Sequence, residues 1–158
     1  MPSLVWSDAL SLSMPVMDDT HHEFVDLLAA AEAAGDDALP QAWQTLIAHT
    51  AEHFAREDRW MSATGFAPGN CHATQHAVVL QVLRDSLRLP DPERPAIIRR
   101  LAQELAQWFP QHAQTMDAGL ALHLKSMGYD PETGAILHSD RLPREAIQGC
   151  GGTCHESA

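Results

Sequence analysis

The chain has 158 residues, of which 45% are hydrophobic, a length and composition typical of one globular domain with an ordinary core. Its formal net charge of −11, from 10 Lys and Arg against 21 Asp and Glu, disfavours nucleic acids and membranes as partners, because anionic partners recruit basic patches. No basic segment followed by an apolar one opens the chain, and no uncharged apolar run reaches about 18 residues. We therefore expect a cytoplasmic protein, and the three cysteines, too few for a disulfide framework, agree with a reducing compartment.

The N-terminal segment is predicted to be an extended arm, residues 1–16, with a first helix after it. The arm ends at Pro15 and offers three apolar side chains for packing against the rest of the domain, Trp6, Leu10 and Leu12. Residues of good capping type come next, so helix one is expected to begin at Asp18, Asp19 or Thr20. Gly35 is expected to end it.

Helices two and three are delimited by prolines and glycines. Pro40 suits the first turn of helix two, which carries apolar residues at helical spacing and ends before Gly65. The loop over residues 65–70 has turn chemistry throughout. Helix three follows it and stops at the proline-containing break over residues 90–92.

The fourth helix begins near residues 93–95 and continues to about residues 125–127, where Gly128 closes it. Four helices joined by short loops favour an all-α, up-down-up-down antiparallel four-helix bundle, and no strands are evident. Prolines and glycines interrupt the remainder of the chain, so we predict a bundle over residues 1–128 and an irregular C-terminal tail over residues 129–158.

Five histidines and two carboxylates recur at spacings that allow four helices to deliver them to one point: His21, His53, Glu57, His72, His76, His112 and Asp117. His53 and Glu57 lie four residues apart, as do His72 and His76, so each pair shares one face of its helix. Imidazole suits iron, and carboxylates can hold two cations close together. The set therefore predicts a site for two non-haem iron ions.

The pair His112 and Asp117 does not fit a regular helix. Five residues correspond to about 140° of rotation, so both side chains can face one metal centre only where the helix is widened or kinked. Pro110 lacks an N–H and its ring clashes with the preceding turn. We therefore expect an irregularity just before His112.

Further residues surround these ligands in a recurring order. They are Trp6; Asp18, three residues before His21; Phe54 and Met61, around the His53 to Glu57 pair; the His72 and His76 pair; and Trp108, before His112 and Asp117. Each segment alone is a weak signal. Together, with one per predicted helix, they resemble the bacterial hemerythrins over roughly residues 6–127.

The resemblance implies two iron positions that share two bridging carboxylates, one with three histidines and one with two. The three groups are His72, His76 and His112; His21 and His53; and Glu57 and Asp117. It further implies a solvent-derived oxo or hydroxo bridge between the irons. The two-histidine iron would keep an open coordination position, where dioxygen binds.

An oxygen pocket is also implied, with a wall formed by Phe24, Phe54, Trp108, Ala113 and Met116. Two of these residues depart from the family. Ala113 stands where a larger aliphatic residue is usual, and Phe24 is bulkier than the usual leucine. The two changes could compensate in volume, with consequences for oxygen affinity and autoxidation.

The leading functional hypothesis is reversible dioxygen binding for carriage, storage or delivery, by a protein that is not an enzyme. One alternative is a di-iron enzyme that reduces peroxide, nitric oxide or dioxygen. Another is an oxygen or redox sensor that acts through a protein partner, and a partner that receives oxygen is also left open. A histidine-rich site could load manganese, cobalt or zinc under other metal supply.

Other histidines and cysteines have weaker claims on the site. His22 is expected to be solvated, His49 to be a core histidine or a group behind the ligands, and His123 to be a spectator. Cys71 precedes His72 but is not expected to be a ligand. The segment 150–155 contains two cysteines separated by three residues and then a histidine, a spacing that disfavours c-type haem. An inert tail is the default there, with a thiol pair or an adventitious metal site as alternatives.

Overall fold

The computed structural model describes residues 1–149, which fold into a four-helix bundle. Its helical segments are α1 (Pro15–Ala33), α2 (Leu39–Ala63), α3 (Cys71–Ser86), α4 (Glu93–His112) and α5 (Ala118–Met127). A π-helical turn, Ala113–Asp117, joins α4 to α5, so that these form the fourth helix of the bundle. Helix α1 packs on α2 and α4, and α3 packs on the same two helices. The part of the chain described contains no strand, and the prediction of an all-α bundle is confirmed.

The first helix begins about one turn earlier than predicted. Pro15 occupies the start of α1, a position that proline favours because its φ is already helical and its missing N–H would be unpaired there. The carboxylate of Asp18 does not cap the helix. It accepts hydrogen bonds from Ser11 Oγ and Leu12 N, both at 2.8 Å, and so secures the end of the arm. The arm itself contains a short 3-10 helix, Asp8–Leu10.

The boundaries of α3 and α5 follow from their capping residues. The buried Asn70 side chain accepts a hydrogen bond from Ala73 N at 3.0 Å and donates one to Ala67 O. This cap sets the start of the helix that carries His72. At the other end of the bundle, Gly128 ends α5 in the left-handed conformation with φ of 58°, as its sequence position predicts.

The irregularity in the fourth helix lies after His112, not before it. Helix α4 continues through Pro110, and the widened turn occupies Ala113–Asp117, where Ala118 N donates to Ala113 O. A five-residue hydrogen-bonded turn accommodates one extra residue, which returns Asp117 to the face that carries His112. The predicted widening is therefore present, but its predicted position was wrong.

Two hydrophobic clusters fill the bundle on either side of the polar centre. The larger one includes Trp43, whose indole Nε1 donates to the buried Ser86 Oγ at 2.9 Å, and it also takes in Leu10 from the arm. The smaller one surrounds Trp60 and Phe66. No helix within residues 1–149 combines the length and apolar character needed to cross a membrane.

The tail is irregular up to residue 149, and it packs back onto the bundle. Ile147 pairs with the loop between α2 and α3: its N–H donates to Gly65 O at 2.9 Å, and its carbonyl accepts from Ala67 N at 2.8 Å. The Ile147 side chain contacts the smaller hydrophobic cluster. The predicted alternatives for the segment 150–155 lie outside the described residues.

Candidate metal centre

All seven predicted ligands are buried and lie together in the middle of the bundle. They form two groups that share both carboxylates, and within each group one ligand atom per residue lies within 4.8 Å of the others. The first group is Glu57, His72, His76, His112 and Asp117, and the second is His21, His53, Glu57 and Asp117. Each of the four bundle helices contributes at least one of these residues.

The carboxylate of Asp117 presents a different oxygen to each group of histidines. Its Oδ1 lies 3.0 Å from His72 Nε2 and 3.1 Å from His112 Nε2. Its Oδ2 lies 3.1 Å from His21 Nε2. The widened turn before Asp117 is what places the carboxylate between the two groups.

Glu57 divides its oxygens in the same way. Its Oε2 lies 2.7 Å from His53 Nε2, and its Oε1 lies 3.5 Å from the Nε2 atoms of His72 and His76. Since every histidine in the cluster turns Nε2 inward, two sets of nitrogen donors face each other across two carboxylates. Each set, together with the two shared carboxylates, is a group of residues that could hold a metal ion.

The electrostatics of the cluster are those of a buried site in which imidazoles and carboxylates neutralise each other. Burial lowers the pKa of His21, but hydrogen bonds and charge from Asp117 and Glu57 raise it to about 9. The same balance raises the pKa of His72 to about 9. Burial instead dominates for His76 and lowers its pKa, despite its hydrogen bond with a carboxylate on α2.

Both carboxylates are held in the charged form. Burial and the charge of Asp117 raise the pKa of Glu57. The charge of His53, together with hydrogen bonds from His21 and His53, outweighs them and lowers that pKa well below its usual range. For Asp117, the upward effect of burial on the pKa is again outweighed, here by the charge and hydrogen bonding of His112 and of the other histidines that face it. Two carboxylates close together and charged in a buried site require compensating positive charge.

The donor set fits a metal. Three of the converging atoms are buried and have no partner at good hydrogen-bonding angles among the described residues, although two of them face each other at 3.1 Å: His21 Nε2, Asp117 Oδ2 and Glu57 Oε1. Buried polar atoms are normally satisfied, so their convergence indicates a cation as the missing partner. Nitrogen and carboxylate oxygen donors are suited to iron.

Three residues next to the cluster were missed in the sequence. Asp58 Oδ1 lies 2.9 Å from His76 Nδ1, and Gln75 Oε1 lies 2.7 Å from His112 Nδ1. Phe109 packs edge-on to His21, with ring centroids 5.2 Å apart. The only sequence signal was that Asp58 and Gln75 adjoin ligands, which does not show that they reach histidines on other helices.

The residues predicted to form the oxygen pocket lie on two sides of the centre. Phe54 stacks on His76, with centroids 3.9 Å apart, and Trp108 stacks on His112, at 4.4 Å. On the opposite side, Phe24 stacks on Phe109, the ring that contacts His21. Ala113 is buried in that same hydrophobic cluster, whereas Met116 is half-buried.

Three histidines outside the cluster, His22, His49 and His123, have partners of their own. His22 is exposed and stacks on Trp6, and His49 pairs with Glu23 at 2.9 Å. His123 bonds to a backbone carbonyl, 2.8 Å away, in the loop after α2. Cys71 is disulfide-bonded, contrary to the reduced cysteines expected from the sequence, so it offers no thiolate to the neighbouring site.

Comparisons with known proteins agree with this class of site, a histidine and carboxylate centre inside a helical bundle. The family model for the hemerythrin HHE cation binding domain matches residues 14–122. The chain is 38% identical to a bacteriohemerythrin of Ralstonia nicotianae over 130 residues, which cover 82% of this chain and 95% of the relative. It is 26% identical to a hemerythrin of Sipunculus nudus over 113 residues, covering 72% and 87% of the two chains. No solved structure matches the chain at a significant level.

The chain therefore belongs to the hemerythrin family of cation-binding domains. Membership implies an iron-binding domain with an oxygen-related function, and the buried cluster supplies a metal-binding set of the expected type. The resemblance noted in the sequence is thus confirmed.

Proposed function

We propose that the protein binds dioxygen reversibly, without catalytic turnover, at a centre of two iron ions. The proposed ligands are the three histidines of the first group, the two of the second, and the shared carboxylates Glu57 and Asp117. The observation on which the proposal rests is the division of the carboxylate oxygens, since each carboxylate turns one oxygen to each group of histidines. A solvent-derived oxo or hydroxo bridge would complete the pair.

The unequal number of histidines supports a site for a small diatomic ligand. Two shared carboxylates and a solvent bridge supply three donors to each metal position. Three histidines then complete six-coordination at one position, whereas His21 and His53 leave the other one donor short. When bound, two ferrous ions would supply the two electrons that dioxygen binding requires.

The residues of the chain around that position favour exclusion of water. His21 is fully buried, and its ring is covered by Phe109, which in turn stacks on Phe24 at 4.5 Å. An apolar cover admits an apolar gas and slows the entry of water and anions, which promote oxidation of the iron. We assign Phe24 and Phe109, with Ala113 beside them, to this cover.

The donor set also favours binding over catalysis. Carboxylate-rich di-iron enzymes of the bundle class use paired Glu-x-x-His motifs, and no such pair occurs among the proposed ligands. A shell of neutral imidazoles is less suited to high-valent iron than one of anionic ligands. Reduction of peroxide, nitric oxide or dioxygen is therefore the second candidate.

An anaerobic optical titration tests the proposal. The iron-loaded protein is reduced, dioxygen is admitted and then removed, and the visible absorption is followed throughout. Reversible binding predicts a band that appears with dioxygen, disappears on its removal and returns on a second cycle. Direct conversion to a stable oxidised spectrum would contradict the carrier function and favour the enzyme.

A further inference from the structure

Two of the five histidines are supported from behind by side chains that belong to neither proposed metal position. The outer nitrogen of His76, Nδ1, lies 2.9 Å from the carboxylate of Asp58, and that of His112 lies 2.7 Å from the amide oxygen of Gln75. The same amide oxygen accepts from Trp108 Nε1 at 3.2 Å. Gln75 therefore holds both the His112 ring and the indole that stacks on it.

The two-histidine position has no such support within the described residues. The Nδ1 atoms of His21 and His53 are buried and have no hydrogen-bond partner there. In the three-histidine group, His72 Nδ1 is likewise buried and has no hydrogen-bond partner among the described residues. In the three-histidine group, two of the histidines therefore have an acceptor behind Nδ1. In the two-histidine group, neither histidine has one within the described residues.

This difference bears directly on metal affinity. An acceptor behind a histidine ligand keeps the proton on Nδ1, leaves Nε2 free for the metal, orients the ring and raises its basicity. A carboxylate does this more strongly than a neutral amide, because its hydrogen bond is charge-assisted. The side chain of Asp58 is 43% exposed, so its charge remains solvated while it contacts the buried His76.

We propose that Asp58 and Gln75 are positioning residues that make the two metal positions unequal in affinity. The three-histidine position binds the first metal ion, the His21 and His53 position binds the second, and metal is lost in the reverse order. The inference rests on the ligand set proposed above but not on dioxygen binding.

Titration of the metal-free protein with Co²⁺ tests the order of binding, with ligand-field absorption and competition by a chelator as readouts. The parent protein is expected to bind two equivalents in two steps of different affinity. The variant Asp58→Asn keeps an acceptor but removes the charge, and it is expected to weaken the first step by about tenfold or more. The matched control is Asp85→Asn, since Asp85 lies on α3 with a side chain that is 53% exposed and away from the cluster.

A double variant that relocates the carboxylate separates the positioning role from a merely structural one. Gln75→Glu, introduced together with Asp58→Asn, places a carboxylate behind His112 in place of the one removed from behind His76. Both histidines belong to the three-histidine group. The double variant is expected to recover most of the affinity lost in the first step. Circular dichroism of each metal-free variant checks that the bundle is folded.

The variant His21→Ala assigns the steps, because it should remove the second and leave the first intact. Loss of the first step in His21→Ala, or equal affinities in Asp58→Asn and Asp85→Asn, would overturn the inference. Binding of one equivalent only by the parent protein would refute the dinuclear centre, and the inference of two unequal positions with it. Two steps without reversible oxygenation would refute the proposed function and leave the inference standing.

Discussion

Asp117 and Glu57 connect the two halves of the site, because each carboxylate spans the gap between histidine groups on different helices. Their side chains are buried at 0% and 1% exposure, so neither can exchange its partners for water. An unpaired buried carboxylate is costly, and the surrounding imidazoles are the groups that stabilise it when no metal is bound. The protonation of those imidazoles therefore affects the stability of the metal-free protein.

The stability of the metal-free protein is expected to fall as pH rises from about 6.5 to about 9. The pKa values of His21 and His72 rise from 6.5 to about 9 on folding, so the folded state binds more protons than the unfolded state in this window. Their contribution is fully present below about 6.5 and is lost as pH passes the folded value. Urea unfolding at pH 6.5, 7.5 and 9 measures the effect.

The metal-loaded protein is the control for this pH series. Metal replaces the protons on the histidines, so its stability should decline less over the same range. A metal-free protein whose urea midpoint is constant or rises towards pH 9 would contradict the expected protonation of His21 and His72.

The small side chain of Ala113 and the large one of Phe24 could compensate for each other in volume, and mutation of the two residues tests this. Ala113 is 0% exposed, so Ala113→Leu forces extra atoms into a filled core and is expected to cost about 1–3 kcal/mol. In a Phe24→Leu background, which frees space in the same hydrophobic cluster, the added cost should be smaller. A double-mutant cycle from urea unfolding measures this coupling, and strictly additive costs would show that the two positions are independent.

At the scale of elements, the π-helical turn decides whether the fourth helix can serve the site. A regular helix would rotate Asp117 away from His112 by about 140°, and the wider turn over Ala113–Asp117, which holds more residues per turn, corrects this. Helix α4 does not end at Pro110, because the helix continues through that residue to His112. The five-residue spacing predicted that a distortion must exist, but only the packed helix shows which hydrogen bonds it changes.

Deletion of Gln114, an exposed residue of this turn, should restore regular helix and keep Asp117 in the cluster, because Asp117 then follows His112 by four residues and shares its face. We expect far-UV circular dichroism to stay that of a helical bundle and iron content to stay close to the parent's, because the shared carboxylate is retained. Insertion of an alanine after Gln114 is the contrasting variant. It places the carboxylate six residues after His112, about 240° round a regular helix, so iron content should fall about tenfold or more as one shared carboxylate is lost. Loss of iron in the Gln114 deletion, or full iron content in the insertion variant, would refute the role given to the turn.

At the scale of the whole molecule, the tail is part of the packed structure as far as it is described. Gly65 adopts φ of 100°, and a Cβ there would collide with Pro143 of the tail. Ile147 adds backbone pairing and apolar contact at the loop that precedes α3. The predicted division into a bundle of residues 1–128 and a separate tail stays a prediction, although the two segments share this contact.

The contribution of the tail to stability is measured by Ile147→Ala. The side chain is half-buried, so we expect a loss of about 1–2 kcal/mol, less than the ~2–5 kcal/mol typical of a fully buried isoleucine. Leu137→Ala is the control within the same segment, because Leu137 is 79% exposed and its truncation should change stability by less than about 0.5 kcal/mol. Equal effects of the two variants in urea unfolding would show that the tail does not stabilise the bundle.

The sequence by itself determined the helix count, most helix ends and the residues that form the cluster. These depend on local chemistry: prolines and glycines interrupt helices, and ligands four residues apart share a helix face whatever surrounds them. Tertiary structure decided how Asp117 and Glu57 divide their oxygens, where the fourth helix widens, and that Asp58 and Gln75 reach His76 and His112. Such contacts join residues on different helices, so they depend on how the helices rotate and slide against one another, which periodicity does not specify.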